Sequence, residues 1–463
     1  MTPSSPHSAE ISIDDLRAAL DGDVIAPGDP GYDDARGAFF TGIDRRPAAI
    51  ARVANADDVS RVVSLTRDAG VELAVRGGGH SYAGYGTSEG GIVLELSRMR
   101  ALEVDPGART ASAEMGLTAG EYTAEAGAHG LATGFGDTGS VGIAGITLAG
   151  GIGFLVRKHG LTIDDVLAAD VVTADGEQLQ ADSETNPDLF WAIRGGGGNF
   201  GVVTRLQLRL HELSEIVGGM LILPATPEVI TGFLAEAEAA PEELSTIANV
   251  MLAPPMPFVP AEHHGRPVVM AMMVFAGSAE VGERAIAPLR ALATPLADMV
   301  RPMSYPEIYE LTEGAPHPVG AAARNMFVDR IDGAGAEAIL GHLERSTAPM
   351  AAVQMRVLGG AMARVPADAT AFAHRGRRMM VNVIATYEHA EEVEERDGWV
   401  TSLSTALRHG DDGAYVGFMD DEGEARVREA YPAPIWDRLV EVKARYDPAN
   451  LFRLNQNVPA GDD

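Results

Sequence analysis

Three consecutive glycines, Gly77 to Gly79, follow the apolar run VELAV and stand directly before His80. Upstream, AAIARV has the pattern of a strand, and ADDVSRVVSLTRDAG that of a capped helix ending at a glycine. Residues 48–79 therefore predict a βαβ unit. Glycines at the end of its second strand leave the backbone bare where a ligand can approach closely. The fold must therefore place the exposed backbone of Gly77–Gly79 and the imidazole of His80 next to each other.

Two further glycine-dense segments, 134–153 and 195–201, lie in the same part of the chain. Strand and helix patterns separate them, so residues 1–212 predict one glycine-punctuated α/β assembly. Such loops can present backbone N–H groups to phosphate oxygens, although tight turns that bind nothing are the alternative for any single loop. Neither G-x-G-x-x-G after a first strand nor a P-loop occurs, which disfavours a nicotinamide or nucleoside triphosphate cofactor.

Beyond residue 212 the pattern changes to extended apolar runs, GGMLILPA, RPVVMAMMVFAG and AAVQMRVLGG, with alanine-rich helical stretches between them. This predicts an antiparallel sheet with helices on one face. The 463 residues exceed the roughly 250–300 that one core supports, so we expect two domains. The last helix is predicted to stop at Asp447 and Pro448, before a short polar tail.

Composition excludes several classes of partner and chemistry. The 66 acidic residues outnumber the 36 basic ones, and the resulting net charge of −30 repels nucleic acid and anionic lipid. No apolar stretch reaches the roughly 18 residues of a membrane span. There is no cysteine, and no second metal ligand stands at a suitable spacing from His80, so we predict no metal site. The N-terminus lacks a leader pattern, and a cytoplasmic location is expected. The only lysines, Lys158 and Lys443, are interpreted as background composition.

Four motifs, RGGGHSYAGYG, GSVGIAGITLAGGIGFLVRKHGLTIDDVL, NPDLFWAIRGGGGNFGVVTRLQLRL and RYDPANLFRLNQNVP, occur in this order. They resemble those of the vanillyl-alcohol oxidase superfamily of flavoproteins, and within it the berberine-bridge-enzyme-like branch, over nearly the whole chain. The resemblance implies an α+β protein with a PCMH-type FAD-binding α/β domain formed by both chain ends, and a central antiparallel sheet with helices on one face. We expect FAD-binding parts at 1–212 (core 46–212) and 426–463, and a substrate domain at 213–425.

The resemblance also implies that His80 is bonded covalently to the 8α-methyl group of FAD, and a neutral imidazole nitrogen is a competent nucleophile. Many relatives carry a second, cysteinyl link at the position of Thr138, so this chain is expected to make the histidyl bond alone. Valine at Val141 accompanies oxidase behaviour in the family, which favours O₂ as the acceptor. The further cofactor contacts implied are Arg76, Gly77, Gly78, Gly79, Ser81, Gly142, Gly145, Gly150, Gly151, Asn199, Gly201, Val203, Asn455, Gln456 and Asn457.

The implied reaction is hydride transfer to the flavin from a carbon that bears oxygen or nitrogen. Tyr82 matches an active-site tyrosine, and Tyr415 matches the first tyrosine of a family Y-x-N-Y/F element. The chain departs from this element at Gly417 and at Phe418, where plant members place a catalytic tyrosine. The identity of the catalytic base is therefore undetermined. Two alternatives are favoured: a base from another part of the chain, or an amine substrate that is neutral when it is oxidised.

Alternation in the strand VQMRVLGG places Gln354, Arg356 and Leu358 on one face, which the resemblance directs at the substrate. Arg356 would then bind an anionic group of the substrate. The alternative is that Arg356 faces solvent on an edge strand. We expect an FAD-linked oxidase of a small alcohol, amine or sugar-like metabolite, acting as a monomer or homodimer. A dehydrogenase with another acceptor and a non-catalytic flavin-binding protein are the competing hypotheses.

Overall fold

The computed structural model describes residues 11–312, 317–408 and 413–461, so most of the N-terminal segment predicted to lack a leader lies outside the described residues. The strands are β1 Asp23–Ile25, β2 Ala49–Arg52, β3 Leu73–Arg76, β4 Ile92–Glu95, β5 Leu102–Asp105, β6 Thr110–Glu114, β7 Leu131–Ala132, β8 Val166–Val172, β9 Gln178–Asp182, β10 Val202–Arg209, β11 His211–Glu212, β12 Ile216–Pro224, β13 Leu244–Leu252, β14 Pro267–Phe275, β15 Ala297–Asp298, β16 Arg301–Met303, β17 Gly320–Val328, β18 Ala351–Val357 and β19 Met379–Tyr387. The helices are α1 Ile13–Ala19, α2 Tyr32–Ala35, α3 Ala56–Ala69, α4 Ala119–Ala128, α5 Ile143–Ala149, α6 Val156–His159, α7 Pro187–Ile193, α8 Pro227–Ala239, α9 Ala279–Arg290, α10 Glu307–Glu310, α11 Gly333–Arg345, α12 Ala361–Arg364, α13 Val393–Leu407, α14 Glu424–Ala430 and α15 Ala433–Tyr446. Over these described ranges, none of the helices combines the length and apolar character needed to cross a membrane.

The predicted βαβ unit supplies strands β2 and β3 of a four-stranded sheet ordered β1-β2-β4-β3. Helix α3 connects β2 to β3, capped at its start by Asn55 and ended by Gly70 in the left-handed conformation. Its valines Val59 and Val62 are fully buried. Strand β4 is inserted between β2 and β3 and runs parallel to both, so the two strands of the unit are not neighbours.

A second, five-stranded antiparallel sheet has the order β5-β6-β10-β8-β9. Its apolar face and that of the first sheet share one core, which contains residues as far apart in sequence as Val59, Val171 and Leu439. Phe452, near the end of the chain, belongs to the same core. The two ends of the chain therefore pack together in one hydrophobic unit.

The middle of the chain forms an eight-stranded antiparallel sheet, ordered β15-β12-β14-β13-β18-β19-β17 with β16 beside β12. Helices α8, α9, α11 and α13 cover one face through a continuous apolar core. This confirms the predicted antiparallel sheet with helices on one face. Strand β18 lies between β13 and β19, and Arg356 on it is 2% exposed, so the alternative of a solvent-facing arginine on an edge strand is wrong.

Helix α6 joins the two halves of the molecule. Arg157 on this helix donates hydrogen bonds of 2.8 Å to the carbonyl oxygens of Ala237 and Leu244, around the C-terminal end of α8. A cation suits this position because helix C-termini carry partial negative charge. Lys158 donates to the carbonyl oxygen of Ala276 at 2.6 Å. These two adjacent cations thus hold α6 against the large sheet and its helix α8.

The last helix, α15, is held by a buried ion pair between Lys443 and Asp447, with 2.6 Å between Nζ and Oδ2 and no exposed area on either side chain. Lys443 also donates to the carbonyl oxygens of Asn199 and Phe452 at 2.8 and 3.0 Å. The carboxylate of Asp447 accepts from the backbone N–H groups of Leu451 and Phe452. The pair therefore connects the 195–201 glycine loop to the C-terminal tail.

Replacing Lys443 with methionine is expected to lower the free energy of unfolding by about 3–5 kcal/mol, because it leaves the Asp447 carboxylate buried without its cation. Arg445→Met is the matched control, since Arg445 lies on the same helix and pairs with Asp188 at the surface. That variant should cost about 1 kcal/mol or less. Urea titration monitored by circular dichroism measures both, and equal losses would show that the buried pair has no special role.

Candidate active site

The three glycine-dense segments meet around one cavity of about 170 Å³ between the two small sheets. Its wall is formed by the end of β3, the first turns of α5, the loop before β10 and the C-terminal tail. The lining residues are Leu73, Val75, Gly77, Leu96, Ala144, Gly145, Leu148, Gly197, Gly198, Gly201, Val202, Val203, Phe452, Leu454 and Asn455. Five of the predicted cofactor contacts, Gly77, Gly145, Gly201, Val203 and Asn455, are among them.

Some of the predicted glycines shape the loops and do not face the cavity. A Cβ on Gly78 would lie 2.3 Å from the backbone nitrogen of Gly142, and one on Gly142 would lie 2.4 Å from that of Gly78. The first and second glycine segments therefore touch backbone to backbone. Gly79 and Gly151 have φ values of 71° and 79°, which a side chain disfavours.

Other glycines leave the wall of the cavity open. A Cβ built on Gly145 or Gly198 has no other atom within 4 Å, and both residues line the cavity. Among the described residues, the backbone N–H groups of residues 77–81 donate no hydrogen bond to another protein group. Asn455 Oδ1, in the same region, is also buried without a hydrogen-bond partner from the part of the chain that the structure describes. Free N–H donors, bare backbone and apolar walls fit a dinucleotide with its pyrophosphate on the glycine loop.

The side chain of Arg76 bonds only to other groups of the protein among the described residues. Its Nη2 lies 2.5 Å from a carboxylate oxygen of Glu95, and it also donates to the carbonyl oxygens of Ala35 and Gly37. The guanidinium is buried in these contacts. Arg76 therefore supports the 77–81 loop from behind, and its side chain is not free for a phosphate.

Asn199 fixes the C-terminal tail. It is 1% exposed, its Nδ2 donates to the carbonyl oxygens of Gly196 and Gln456, and its Oδ1 accepts from the N–H of Val458. Gln456 Nε2 donates in turn to the carbonyl oxygens at 419 and 420. Asn457 is half-buried, and its Oδ1 has no partner within the described ranges. These amides hold the tail over the cavity.

His80 follows the triple glycine and stacks on the ring of Phe39, with 4.2 Å between ring centroids. Its Nε2 lies 3.3 Å from Oγ of Ser140 in the second glycine segment. Burial lowers the pKa of His80 to about 4, and the neighbouring His317 adds to this effect. The imidazole is therefore neutral at neutral pH.

The other predicted residues of these two loops have local partners. Ser81 Oγ accepts a hydrogen bond from the N–H of Tyr85, and Thr138 Oγ1 lies 3.3 Å from Oδ1 of Asp137. The carbonyl oxygen of Val141 accepts from the N–H of Ala119. Gly150 closes helix α5 with a φ of 135°. Within the described ranges, no group of His, Asp and Glu side chains is arranged to hold a metal ion.

Tyr82 and Tyr415 both lie against Phe418, with ring centroids 6.5 and 5.4 Å away. Burial raises the pKa of each tyrosine to about 12, so both phenols are protonated at neutral pH. The nearby side chain of Asn382 opposes this rise in the pKa of Tyr82. The Tyr415 hydroxyl accepts from the N–H of Gly151 at 3.1 Å. The structure thus brings both predicted tyrosines to one aromatic cluster.

Arg356 forms a closed set of contacts at the same place. Its guanidinium pairs with Asp137 at 2.7 Å, donates to the carbonyl oxygen of Ile152, and donates twice to Oε1 of Gln354. Leu358 packs in an apolar cluster that also contains Ile152. Gln354, Arg356 and Leu358 therefore share the face that alternation predicts, and the charge of Arg356 is balanced by Asp137.

Sequence reasoning missed Asp137, Asn382 and Phe39. Asp137 stands beside Thr138 in the second glycine segment, and its position as the carboxylate of that segment was an available signal. Asn382 is a lone amide in the apolar run MMVNVIATY, which is unusual for a buried strand. Phe39 precedes the βαβ unit in a segment without a recognisable motif.

Comparison with known proteins agrees with this geometry. The FAD binding domain family matches residues 47–182, and the berberine and berberine-like family matches residues 414–459. The (R)-6-hydroxynicotine oxidase of Paenarthrobacter nicotinovorans is 33% identical over 459 residues, which cover 95% of this chain and 97% of that protein.

Solved structures show the same similarity. The 6-hydroxy-D-nicotine oxidase from Arthrobacter nicotinovorans superposes with a TM-score of 0.84 at 29% identity, over 96% of this chain and 98% of that one. The xylooligosaccharide oxidase from Myceliophthora thermophila C1 in complex with xylobiose has a TM-score of 0.84 at 25% identity, over 98% and 100% of the two chains. These matches confirm the α+β fold class with its FAD-binding domain.

Gly145→Ala is expected to reduce the fraction of purified chains that carry FAD to less than about half, because the new methyl group enters the cavity. Gly398→Ala is the matched control: Gly398 also lies in a helix, α13, with open space around its Cβ position, but far from the cavity lining. Both changes improve helix propensity by about 1 kcal/mol or less. The ratio of absorbance at 450 and 280 nm measures flavin content, and equal content in both variants would remove Gly145 from the cofactor wall.

Proposed function

We propose that this protein, which belongs to the berberine and berberine-like family of FAD-linked oxidoreductases, is an oxidase with FAD bonded to His80. The substrate is a small molecule oxidised at a carbon that bears a hydroxyl or amino group, and O₂ is the final acceptor. The observation that carries the proposal is the meeting of three glycine segments around one cavity, whose wall includes Gly77, three residues before the neutral imidazole of His80.

We divide the chain accordingly into FAD-binding parts at 1–212 and 426–463 and a substrate part at 213–425. The shared core of the two small sheets with α15 supports the first unit, and the separate core under the large sheet supports the second. Residues 77–81 would hold the pyrophosphate through backbone N–H groups. Gly145 and Gly198 would let the cofactor lie against the backbone.

FAD, when bound, supplies the acceptor for the hydride and passes the electrons on. The chain contributes binding, orientation and the electrostatic setting. One ring nitrogen of His80 is engaged by Ser140, and the neutral ring keeps a lone pair for the covalent bond. Because Thr138 stands where many relatives have a cysteine, the protein can form one covalent link to FAD, the one through His80.

Tyr82 and Tyr415 act as hydrogen-bond donors in this proposal. Their pKa values of about 12 mean that neither phenol takes a proton at neutral pH. They can orient the hydroxyl or amino group of a substrate, whose proton then leaves to water or to another group. Val141 places a small apolar side chain within the second glycine segment, which supports access of O₂.

The covalent bond is tested by precipitating the protein with acid and mapping the flavin-bearing peptide. Flavin should remain in the pellet and map to His80, whereas His80→Ala should release it to the supernatant. His317→Ala is the control, because this second imidazole contacts the same Phe39 ring. Flavin still fixed in the His80→Ala pellet would overturn the assignment.

Covalent attachment of FAD should also depend on pH, and it should be lost as the pH falls. Since the pKa of His80 is lowered to about 4, the ring in the folded protein gains its proton only near that pH. Reconstitution of apoprotein with FAD is therefore expected to form the bond unchanged from pH 8 to about one unit above that pKa, and to fail below it. Loss of attachment already near pH 6.5 would show that the imidazole is not desolvated.

Oxygen as acceptor is tested by reducing the flavin anaerobically with light and mixing it with air-saturated buffer. Reoxidation within seconds, with one H₂O₂ formed per flavin, is expected. Reoxidation over many minutes would favour a dehydrogenase that uses another acceptor.

Tyr82→Phe should lower kcat/KM by about 10- to 100-fold with flavin content unchanged, because one buried donor to the substrate is lost. Tyr85→Phe, a change on the same loop, should have an effect below about 3-fold. The wild-type pH profile should show no phenol ionisation below about pH 11, given a Tyr82 pKa of about 12. A Tyr82-dependent ionisation between pH 7 and 9 would identify Tyr82 as a base instead.

A further inference from the structure

We infer that Phe39 is a positioning residue for the covalent attachment of FAD, because its ring fixes the plane of the His80 imidazole. The inference rests on the proposed function, in which His80 is the attachment site. It is carried by residues 39–45, FFTGIDR, which lie between α2 and β2 and contact both the His80 loop and the central part of the chain. We call residues 39–45 the bracing segment.

The bracing segment begins with two aromatic residues that contact the loop after the triple glycine. The ring of Phe39 stacks on the imidazole of His80, with 4.2 Å between centroids and 25° between planes. The ring of Phe40 lies 5.0 Å from that of Tyr82. The backbone N–H of Phe39 also donates to the carbonyl oxygen of Gly79 at 3.2 Å. Each of the two consecutive aromatic rings thus contacts one of the functional side chains proposed for this loop.

Arg45, at the end of the bracing segment, fixes the same loop further along the chain. Its guanidinium donates to the carbonyl oxygens of Gly84 and Thr87 at 2.8 and 3.0 Å. It also donates to the carbonyl oxygen of Ala83 at 3.3 Å. The bracing segment therefore contacts the loop both at the triple glycine and beyond it.

The central part of the chain anchors the bracing segment. The backbone N–H of Thr41 donates to the carbonyl oxygen of Pro318 at 3.0 Å, and that of Gly42 donates to the carbonyl oxygen of Val319 at 2.7 Å. Pro318 and Val319 directly precede β17 of the large sheet. The position of Phe39 is therefore set by the large sheet as well as by the loop that it contacts.

The stack is important because little else orients the imidazole. Among the described residues, the His80 ring has one hydrogen-bond partner, Oγ of Ser140, at 3.3 Å from Nε2. This distance exceeds the roughly 2.7–3.2 Å of a well-formed hydrogen bond to nitrogen. The side-chain torsion of an imidazole about its Cβ–Cγ bond is broad, so one long hydrogen bond leaves the ring free to rotate. A stacked ring on its face restricts that rotation.

A fixed imidazole favours the attachment step. In this step a ring nitrogen of His80 gives its lone pair to a bond with the 8α carbon, and one methyl C–H bond breaks. The electron pair of that C–H bond passes through the flavin to O₂, which leaves as H₂O₂ with the methyl proton and the imidazole proton. A nucleophile that is already held in place loses less entropy on reacting. Phe39 is not among the residues that line the cofactor cavity, so it acts through His80.

The test mixes full-length apoprotein with FAD in air at about pH 8 and follows acid-stable flavin with time, while absorbance at 450 nm gives total bound flavin. Phe39→Ala and Phe39→Leu should bind as much FAD as the wild type, but each should form the covalent bond at least about 10-fold more slowly. Leucine keeps most of the apolar volume without a flat ring, so it separates lost stacking from a failure to fold.

Two further variants serve as controls. Phe39→Tyr keeps the stacked ring and should form the covalent bond within about 2-fold of the wild-type rate. Phe258→Ala removes a phenylalanine ring that is 41% exposed on another loop, and it should leave the rate unchanged.

The pH limit of attachment gives a second readout, one that a purely structural role of Phe39 would not change. Burial is the largest cause of the low pKa of His80, and Phe39 covers one face of the ring. His317 is the titratable group that adds to this effect, whereas Phe39 and Ser140 carry no charge. Removing the Phe39 ring should raise the pKa of His80, so the pH below which attachment fails should rise by about one unit or more in Phe39→Ala.

The outcomes separate the inference from the proposed function. Attachment at the wild-type rate in Phe39→Ala and Phe39→Leu would overturn the inference and leave His80 as the attachment site. Equal slowing in Phe39→Tyr, or loss of total bound flavin in Phe39→Leu, would also overturn it, because the stacked ring would not be the cause. Wild-type flavin that is released by acid, or that maps to another residue, would instead overturn the proposed function, and the inference with it.

Discussion

The buried ion pair between Lys443 and Asp447 connects the parts of the chain on which the cofactor cavity depends. It binds the glycine loop through the carbonyl oxygen of Asn199, and the tail through the backbone at Leu451 and Phe452. A desolvated pair is favourable only when its geometry and its extra hydrogen bonds are complete. These contacts fix the tail in the position where Phe452, Leu454 and Asn455 line the cavity.

Burial of ionisable groups is the second constraint on the site. His80 is uncharged at neutral pH, the two tyrosines keep their protons, and Arg356 is matched by Asp137. Burial is the main cause of each pKa shift, so these groups act through hydrogen bonds more than through charge.

Short-range patterns in the sequence predicted much of this arrangement. The strand, helix and triple glycine of residues 48–79, and the alternation that puts Gln354 and Arg356 on one face, depend on neighbours in the chain. The partner of Arg356 is different, because Asp137 lies 219 residues away and is brought close only by packing. The two lysines interpreted as background are further cases, since Lys158 and Lys443 each bond backbone oxygens of distant segments.

The sequence by itself determined the fold class, the glycine loops and the absence of any thiol for a second cofactor link, because backbone permissiveness and residue identity are local properties. Tertiary structure alone decided that β4 enters between β2 and β3, that Arg356 is buried, and that His80 is neutral. Strand order, desolvation and ion pairing arise from contacts between residues far apart in the chain. Their free energies depend on what surrounds each group after the whole molecule has packed.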